Sequence, residues 1–240
     1  MDGDKDGDPR RNIMLARLSD EEFTRLRPDL EIIHPDLKEQ VYERGRPIEA
    51  VYFPLDAVYS MVTVVGGERG LVEVATVGYE GMVGLPLFLG AATSPTIAYC
   101  QVPGAAARLS ADDFRQFLAQ DGQLHGLLHR YTQTTMVQMA QNVACNVAHV
   151  AEQRAARWIL TTGDRTRSDR FPITQEFLAQ MLGVRRTTVS EVASKLQADG
   201  LITYTRGELT ILDRRRLTDA ACECYTIIRN EFDQLADNDS

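Results

Sequence analysis

The sequence predicts a two-domain α+β chain, with a β-rich N-terminal half, a long helix and a C-terminal winged helix-turn-helix. Three observations carry this prediction. Short apolar runs broken by Gly and Pro fill residues 31–107, a helical stretch with a heptad-spaced apolar stripe follows, and two short helical patterns then meet at Gly183. At 240 residues, the chain is long enough for two domains with separate cores.

Composition favours a globular chain that works in the cytoplasm. Apolar residues make up 44% of the sequence and charged residues 25%. No apolar run approaches the roughly 18 residues of a membrane span, and the N-terminus lacks the apolar region of a signal peptide. The four cysteines are too few and too scattered for a secreted disulfide framework, so we expect reduced thiols.

The charge is distributed unevenly. The formal net charge is −8, yet residues 154–216 hold 12 Lys and Arg against 7 Asp and Glu. Both flanking segments are acidic. A basic segment inside an acidic chain indicates a localised nucleic-acid contact.

The N-terminal half begins with residues 1–14, which we predict to be a flexible acidic tail. A short helix is expected from Leu15 to Leu26, with Ser19 as its N-cap. Several strands at close spacing then predict a barrel or sandwich. The expected strands are Leu30–Ile33, Ala50–Phe53, Val58–Val65, Leu71–Val77, Thr96–Val102 and Ala105–Leu109, with a turn at Gly66-Gly67.

The middle of the chain reads as helix, first over Ser110–Leu118 and then over about Gln123–Leu160. Spacings of 4, 3, 4 and 3 residues give the second helix an apolar stripe typical of helix pairing. The stripe consists of Met136, Ala140, Val143, Val147 and Val150. We interpret it as the interface of a homodimer, with packing on its own domain as the alternative. Residues 163–170 read as a hinge-like loop.

The C-terminal segment predicts a winged helix-turn-helix. Thr174 caps a helix ending at Leu182, Gly183 makes the turn, and a second helix covers about Arg185–Ala198. Two β runs around Arg206-Gly207 then predict a wing.

Double-stranded DNA is the partner that this arrangement predicts. The start of a recognition helix meets base edges in the major groove, where arginine pairs bidentately with guanine. A solvated polar face is the alternative. The candidate DNA-binding residues are Thr174, Arg185, Arg186, Thr187, Thr188, Ser190, Lys195 and Arg206.

Residues 174–212 resemble the DNA-binding domain of the Crp/Fnr regulators, and a looser resemblance covers about residues 15–230. It rests on residues 18–22, on Arg44-Gly45-Arg46-Pro47 with the strand that follows, and on residues 78–90. The resemblance implies a cyclic-nucleotide-binding-like β jelly roll over 15–122, a dimerisation helix over 123–162 and a winged helix-turn-helix domain with a C-terminal helix over 163–240. It also implies that Arg186, Thr187 and Ser190 face the bases of a palindromic operator, and it makes RNA polymerase a candidate partner.

The same resemblance bears on the effector. Family members that bind cyclic nucleotides hold the ribose with a Gly-Glu pair and the phosphate with an arginine. Here Leu85 and Pro95 stand at those positions, so we expect regulation independent of cAMP. Gly84, Leu85, Ser94 and Thr96 remain a candidate pocket for another ligand.

We expect neither a metal nor a cofactor. Cys222-x-Cys224 is not a CxxC pair, and the histidines are not grouped at ligand spacing. We expect Cys100 and Cys145 to be small buried apolar residues, and a role in redox sensing is the alternative. No catalytic motif is present, so the prediction is a transcription regulator and not an enzyme. The alternative is a ligand- or redox-controlled regulatory module that binds a nucleotide or other small molecule through its β domain.

Overall fold

The computed structural model describes residues 7–65, 70–120 and 122–237. Residues 1–6 of the predicted tail and the predicted Gly66-Gly67 turn lie outside these ranges. Within them, no helix combines the length and apolar character needed to cross a bilayer.

The end of the predicted tail is part of the fold. A 3₁₀ turn at Pro9–Arg11 leads into helix α1 (Ile13–Ala16). The Asn12 side chain donates hydrogen bonds to the carbonyls of Pro54 and Gly81, at 3.0 and 2.9 Å. These bonds anchor the segment to the β domain, so the prediction of a flexible tail is wrong for residues 9–14.

The predicted helix over Leu15–Leu26 is split in two. Helix α1 ends at Ala16, and Ser19, with ψ of 157°, is not helical. Helix α2 (Asp20–Leu26) begins one residue after Ser19, whose hydroxyl accepts the N–H of Glu22 at 3.2 Å. The predicted N-cap is therefore confirmed.

Two antiparallel sheets form the β domain. Its strands are β1 (Glu31–Ile33), β2 (Gln40–Tyr42), β3 (Ala50–Pro54), β4 (Val58–Val64), β5 (Leu71–Val77), β6 (Ile97–Val102) and β7 (Ala106–Ser110). One sheet has the order β1-β7-β3 and the other β2-β6-β4-β5. Strand β3 is at the edge of the first sheet and is buried along its whole length. Of the seven strands that the structure describes in this domain, six were predicted and β2 was not.

Four helices follow or interrupt the strands: α3 (Leu85–Phe88), α4 (Ala111–Leu118), α5 (Gln123–Ala148) and α6 (Ala151–Thr166). The helix predicted over 123–162 breaks at His149 and Val150, both of which adopt extended backbone conformations. The break has a packing cause. Helix α5 packs against β5, whereas the buried face of α6 packs in the core of the C-terminal half. One continuous helix cannot serve both surfaces.

The C-terminal half contains β8 (Arg170–Pro172), α7 (Gln175–Leu182), α8 (Arg186–Ala198), β9 (Ile202–Thr205), β10 (Glu208–Ile211), α9 (Arg214–Ala220) and α10 (Cys224–Asp237). Its sheet has the order β8-β10-β9. The predicted loop over 163–170 is wrong at both ends, because α6 continues to Thr166 and β8 begins at Arg170.

The C-terminal helix packs away from the winged helix-turn-helix. Ile228, Phe232 and Leu235 of α10 are buried in the N-terminal core, where the Phe232 ring lies 6.5 Å from that of Tyr131. The prediction grouped α10 with the winged helix-turn-helix domain at residues 163–240. In the structure, α10 instead packs on α5 and α6.

Buried polar contacts join the two halves. The indole N–H of Trp158 in α6 donates to Glu73 in β5 at 2.9 Å, and the amide of Gln101 donates to Thr162 at 3.0 Å. Burial raises the pKa of Glu73, and hydrogen bonding by Ser60 opposes that rise. Together these contacts fix α6 against the sheet that contains β4, β5 and β6.

Candidate nucleic-acid interface

Helices α7 and α8 form the helix-turn-helix, and the predicted signals set their limits. The Thr174 hydroxyl accepts the N–H of Phe177 at 3.1 Å, which caps α7. Gly183 ends α7 with φ of 62°, a left-handed conformation that favours glycine. Helix α8 begins at Arg186, one residue later than predicted. The turn therefore holds the two helices at a defined angle.

The first turn of α8 presents polar side chains to solvent. Arg185, Arg186 and Thr187 are exposed, and Thr188 is half-buried. The opposite face is apolar, with Val189, Ala193 and Leu196 buried against α6 and α7. An exposed basic turn on a rigid apolar base can reach the edges of base pairs.

Two predicted DNA contacts already have partners within the chain. The Ser190 hydroxyl donates to the Gln175 side chain at 2.7 Å, and Ser190 is half-buried. The Lys195 ammonium lies 2.6 Å from a Glu152 carboxylate oxygen, and that carboxylate raises the pKa of Lys195. Ser190 thus helps to fix α8 on α7, and Lys195 links α8 to α6.

The wing is the β9–β10 hairpin. Its turn consists of Arg206 and Gly207, with φ of 53° and 81°, as a tight two-residue hairpin requires. Arg206 is exposed at the tip of this turn. The wing is fixed to the base of the domain by Tyr204, whose hydroxyl donates to the carbonyl of Ile173 at 2.7 Å.

Sequence reasoning missed two features of this surface. Gln175 holds Ser190, and nothing in its sequence context marks this contact. Arg215 and Arg216 are exposed on α9, whereas the neighbouring Arg214 is paired with Asp169 at 2.7 Å. The run of three arginines at 214–216 was the available signal. It adds positive charge to the C-terminal half.

The predicted dimer stripe lies on the outer face of α5. Met136 is 60% exposed, Val143 66% and Val147 87%, and Val150 is 64% exposed just beyond the helix. Ala140 is also exposed. The buried face of α5 is apolar over its first two turns and polar from Thr134 to Asn142, where Asn142 donates to the carbonyl of Val74 at 3.0 Å. The exposed apolar stripe is therefore a surface that a second chain can cover.

The predicted effector residues lie in the segment around α3. Leu85 is buried, Pro95 is exposed, and Gly84 adopts φ of 107° against Val51. The hydroxyls of Ser94 and Thr96 lie 2.7 Å apart and bond to each other.

The absence of a cysteine and histidine cluster was predicted wrongly. The fold brings together Cys145, His149, Cys222 and Cys224, whose ligand-type atoms all lie within 4.8 Å of one another. They come from two segments far apart in sequence, which is why spacing alone did not reveal the cluster. The weak signals were the one-turn spacing of Cys145 and His149 and the Cys222-x-Cys224 pair. Cys100 is buried elsewhere, in β6.

Residues 153–220 match the family of Crp-like helix-turn-helix domains. A comparison with curated protein sequences found no match.

Solved structures match over most of the chain. FixK2 from Bradyrhizobium japonicum is 16% identical with a TM-score of 0.68, covering 80% of this chain and 98% of that protein. CLP, the c-di-GMP responsive global regulator from Xanthomonas campestris, is 16% identical with a TM-score of 0.63, covering 81% and 100%. A Crp-family transcriptional regulator from Thermus thermophilus is 18% identical with a TM-score of 0.60, covering 81% and 99%.

The domain match and the shared fold support the same conclusion as the geometry of α7, α8 and the wing. The chain carries a Crp-like helix-turn-helix domain at residues 153–220 and has the fold of the Crp/Fnr transcription regulators.

Proposed function

We propose that the chain is a transcription regulator that binds a specific DNA sequence as a homodimer. The observation that carries the proposal is the exposed first turn of α8, where Arg185, Arg186 and Thr187 face solvent while Val189, Ala193 and Leu196 on the opposite side of the helix are buried. Such a regulator acts where the bacterial chromosome is, in the cytoplasm, and RNA polymerase is its candidate partner at promoters.

Arg186 is the residue to which we assign base recognition. It occupies the first position of α8, and the N-terminal residues of a recognition helix lie closest to the base edges. Its guanidinium can donate two hydrogen bonds to the O6 and N7 atoms of guanine. Thr187 and Thr188 lie one and two positions further along the same turn and can contact neighbouring bases.

Contacts to the DNA backbone are assigned to the other exposed groups. Arg206 at the tip of the wing can contact a phosphate next to the bound groove, and the exposed Thr174 at the start of α7 can contact another. Lys195 would have to leave Glu152 before it could bind phosphate. We therefore expect Lys195 to contribute less than Arg206.

Pairing of two chains through α5 gives the geometry that a palindrome needs. The stripe of Met136, Val143 and Val147 is apolar and exposed, and a two-fold axis along it makes each stripe cover the other. Two recognition helices would then face half-sites whose centres are about one DNA turn, roughly 34 Å, apart.

We propose that DNA binding by this chain is independent of cyclic nucleotides. A cyclic phosphate needs a charge-assisted contact, and Pro95 and Leu85 cannot donate one. Ser94 and Thr96 are hydroxyl donors that are already bonded to each other. Another ligand of the β domain remains the alternative mode of control.

Selection of genomic DNA fragments by the purified protein tests the proposal. We expect the enriched fragments to share an inverted repeat whose half-sites contain a guanine. Recovery of fragments without a common motif, at the same yield as a variant with both Arg185 and Arg186 replaced by alanine, would contradict sequence-specific binding.

A further inference from the structure

A buried cluster of three thiols and one imidazole lies where α5 ends. Cys145 belongs to the last turn of α5, and His149 follows that helix directly. Cys224 is the first residue of α10, and Cys222 lies two residues before that helix. All three cysteines are at most 4% exposed, and they form a group separate from the two apolar cores of the described residues.

The distances between these groups suit a single tetrahedral metal ion. The sulfurs of Cys145 and Cys222 lie 3.5 Å apart, as do the sulfur of Cys224 and Nδ1 of His149. In a tetrahedron with Zn–S bonds of about 2.3 Å and Zn–N bonds of about 2.0 Å, neighbouring ligand atoms are roughly 3.5–3.8 Å apart. All four ligand-type atoms lie within 4.8 Å of one another, so the widest pair would have to approach by about 1 Å when a metal binds. A disulfide, by contrast, requires about 2.05 Å.

Groups around the cluster are placed as the supporting residues of a zinc site usually are. Nε2 of His149 lies 3.3 Å from a carboxylate oxygen of Glu223. A carboxylate on the far nitrogen holds a histidine in the tautomer that binds metal through its other nitrogen, here Nδ1. The amide of Gln141 donates to the Cys224 sulfur at 3.1 Å, which stabilises a thiolate.

The surrounding charge also fits. Three thiolates and one divalent cation carry a net charge of about −1. Arg157, which is buried, and Arg154, which is half-buried, lie close enough to act electrostatically on the cluster. Arg157 is held in place by Asn142, which accepts its N–H at 2.9 Å. The two guanidinium groups can offset the excess negative charge.

We propose that this cluster is a structural Zn²⁺ site whose four ligands are Cys145, His149, Cys222 and Cys224. Four protein ligands leave no open position for water, which is the arrangement of structural and not catalytic zinc. A multi-iron cluster is disfavoured, because its ligands must surround a larger body than the space between these atoms.

The position of the site would let the metal affect how the two halves of the chain are joined. The metal ties the end of α5, which carries the exposed Val147, to the start of α10, and His149 lies in the break that leads to α6. Zinc would thus fix the angle at which α6 and the helix-turn-helix leave the proposed dimer helix. This consequence rests on the proposed function, whereas the metal site does not.

Metal content and coordination test the site directly. The full chain, produced with added zinc under reducing conditions, should contain one zinc per chain. X-ray absorption should give three sulfurs at about 2.3 Å and one nitrogen at about 2.0 Å. Exchange of zinc for Co²⁺ should produce the visible absorption of a tetrahedral thiolate site.

Variants separate this site from adventitious binding. Cys145→Ser and Cys224→Ser should each lose zinc, whereas Cys100→Ser, at a buried thiol outside the cluster, should keep it. Glu223→Ala should keep the stoichiometry but bind about 10–100-fold more weakly, because His149 loses its orienting partner. If the serine variants fold poorly, removal of zinc from the wild-type chain by a chelator and its re-addition provide the same readout.

Two results would overturn the proposal. One is wild-type protein that stays free of zinc after supplementation, with a Cys145–Cys222 disulfide found by mass spectrometry. The other is zinc that remains bound at full stoichiometry in the Cys145→Ser and Cys224→Ser variants. Neither result depends on DNA binding, so failure of this site and failure of the proposed function are distinguishable.

Discussion

The outer face of α5 offers a quantitative test of the dimer. In Val143→Ala with Val147→Ala, each chain loses four methyl groups from the proposed interface, while the face of α5 that packs on the β domain is unchanged. The monomer fold should therefore persist, because these two valines are 66% and 87% exposed in the single chain. The double variant should therefore lose free energy of dimerisation and not stability of the monomer.

The size of that loss follows from the exposures. A methyl group transferred completely out of water contributes about 0.8 kcal/mol, so truncation of one fully covered valine removes about 1.6 kcal/mol. Scaled by the exposed fractions of Val143 and Val147, and counted in both chains, the double variant forfeits on the order of 5 kcal/mol. At about 1.4 kcal/mol per tenfold change, the dimer dissociation constant should rise by roughly three to four orders of magnitude.

Analytical ultracentrifugation over a dilution series measures this constant, and circular dichroism checks the monomer. Val65→Ala is the matched control, since Val65 is 56% exposed but lies in the β domain. A double variant that stays dimeric at the same concentrations as the Val65→Ala protein would refute the assignment of the interface to α5.

Four further outcomes are expected. Calorimetry should detect no cAMP or cGMP binding; micromolar affinity for either would contradict the pocket assignment. Arg206→Ala should weaken all DNA sequences alike, and titration of salt should show a shallower dependence, with a slope reduced by about one. Arg165→Met should lower the free energy of unfolding, measured in urea, by about 3–5 kcal/mol. The reason is that Glu80, which is buried and lies 2.6 Å from Arg165, would keep an unpaired charge. A loss below about 1 kcal/mol would contradict a stabilising role of this ion pair. Because burial raises the pKa of Glu73, the folded chain binds this proton more tightly than the unfolded chain, so stability should fall as pH rises from the usual carboxyl range towards neutral. Glu73→Gln should flatten that profile in the same urea experiment.

Local signals predicted the helix-turn-helix and the wing well. Thr174 and Gly183 mark the two ends of α7, because a hydroxyl cap favours the start of a helix and a left-handed glycine favours its end. The wing was predictable for the same reason, since Arg206-Gly207 suits a two-residue turn. Where the immediate neighbours of a residue decide its conformation, the sequence is informative.

Features decided by distant contacts were not predictable. The break at His149 and Val150 contains neither proline nor glycine, and the heptad spacing continues across it. Only the packing of α5 and α6 on different surfaces explains it. The cluster of cysteines with His149 likewise depends on α10 returning to α5, which no local pattern encodes.

Ser190 shows that the position of a residue in the family pattern does not by itself determine what its side chain contacts. The resemblance placed it among the base-facing residues, whereas its hydroxyl is bonded to Gln175 in the isolated chain. Polar residues on a recognition helix can face DNA or the preceding helix, and the difference is a rotation of one side chain. We therefore assign base recognition chiefly to Arg186, which is exposed.

Sequence-specific recognition is tested most directly by the affinity of Arg186→Ala for two DNAs. One is the operator, and the other is an operator in which the guanine paired with Arg186 is replaced. The wild-type chain should distinguish the two DNAs, and Arg186→Ala should lose about 1–3 kcal/mol per half-site on the operator alone, which removes the preference at that base pair. An equal loss of affinity on both DNAs would make Arg186 a backbone contact and contradict the proposed orientation of α8.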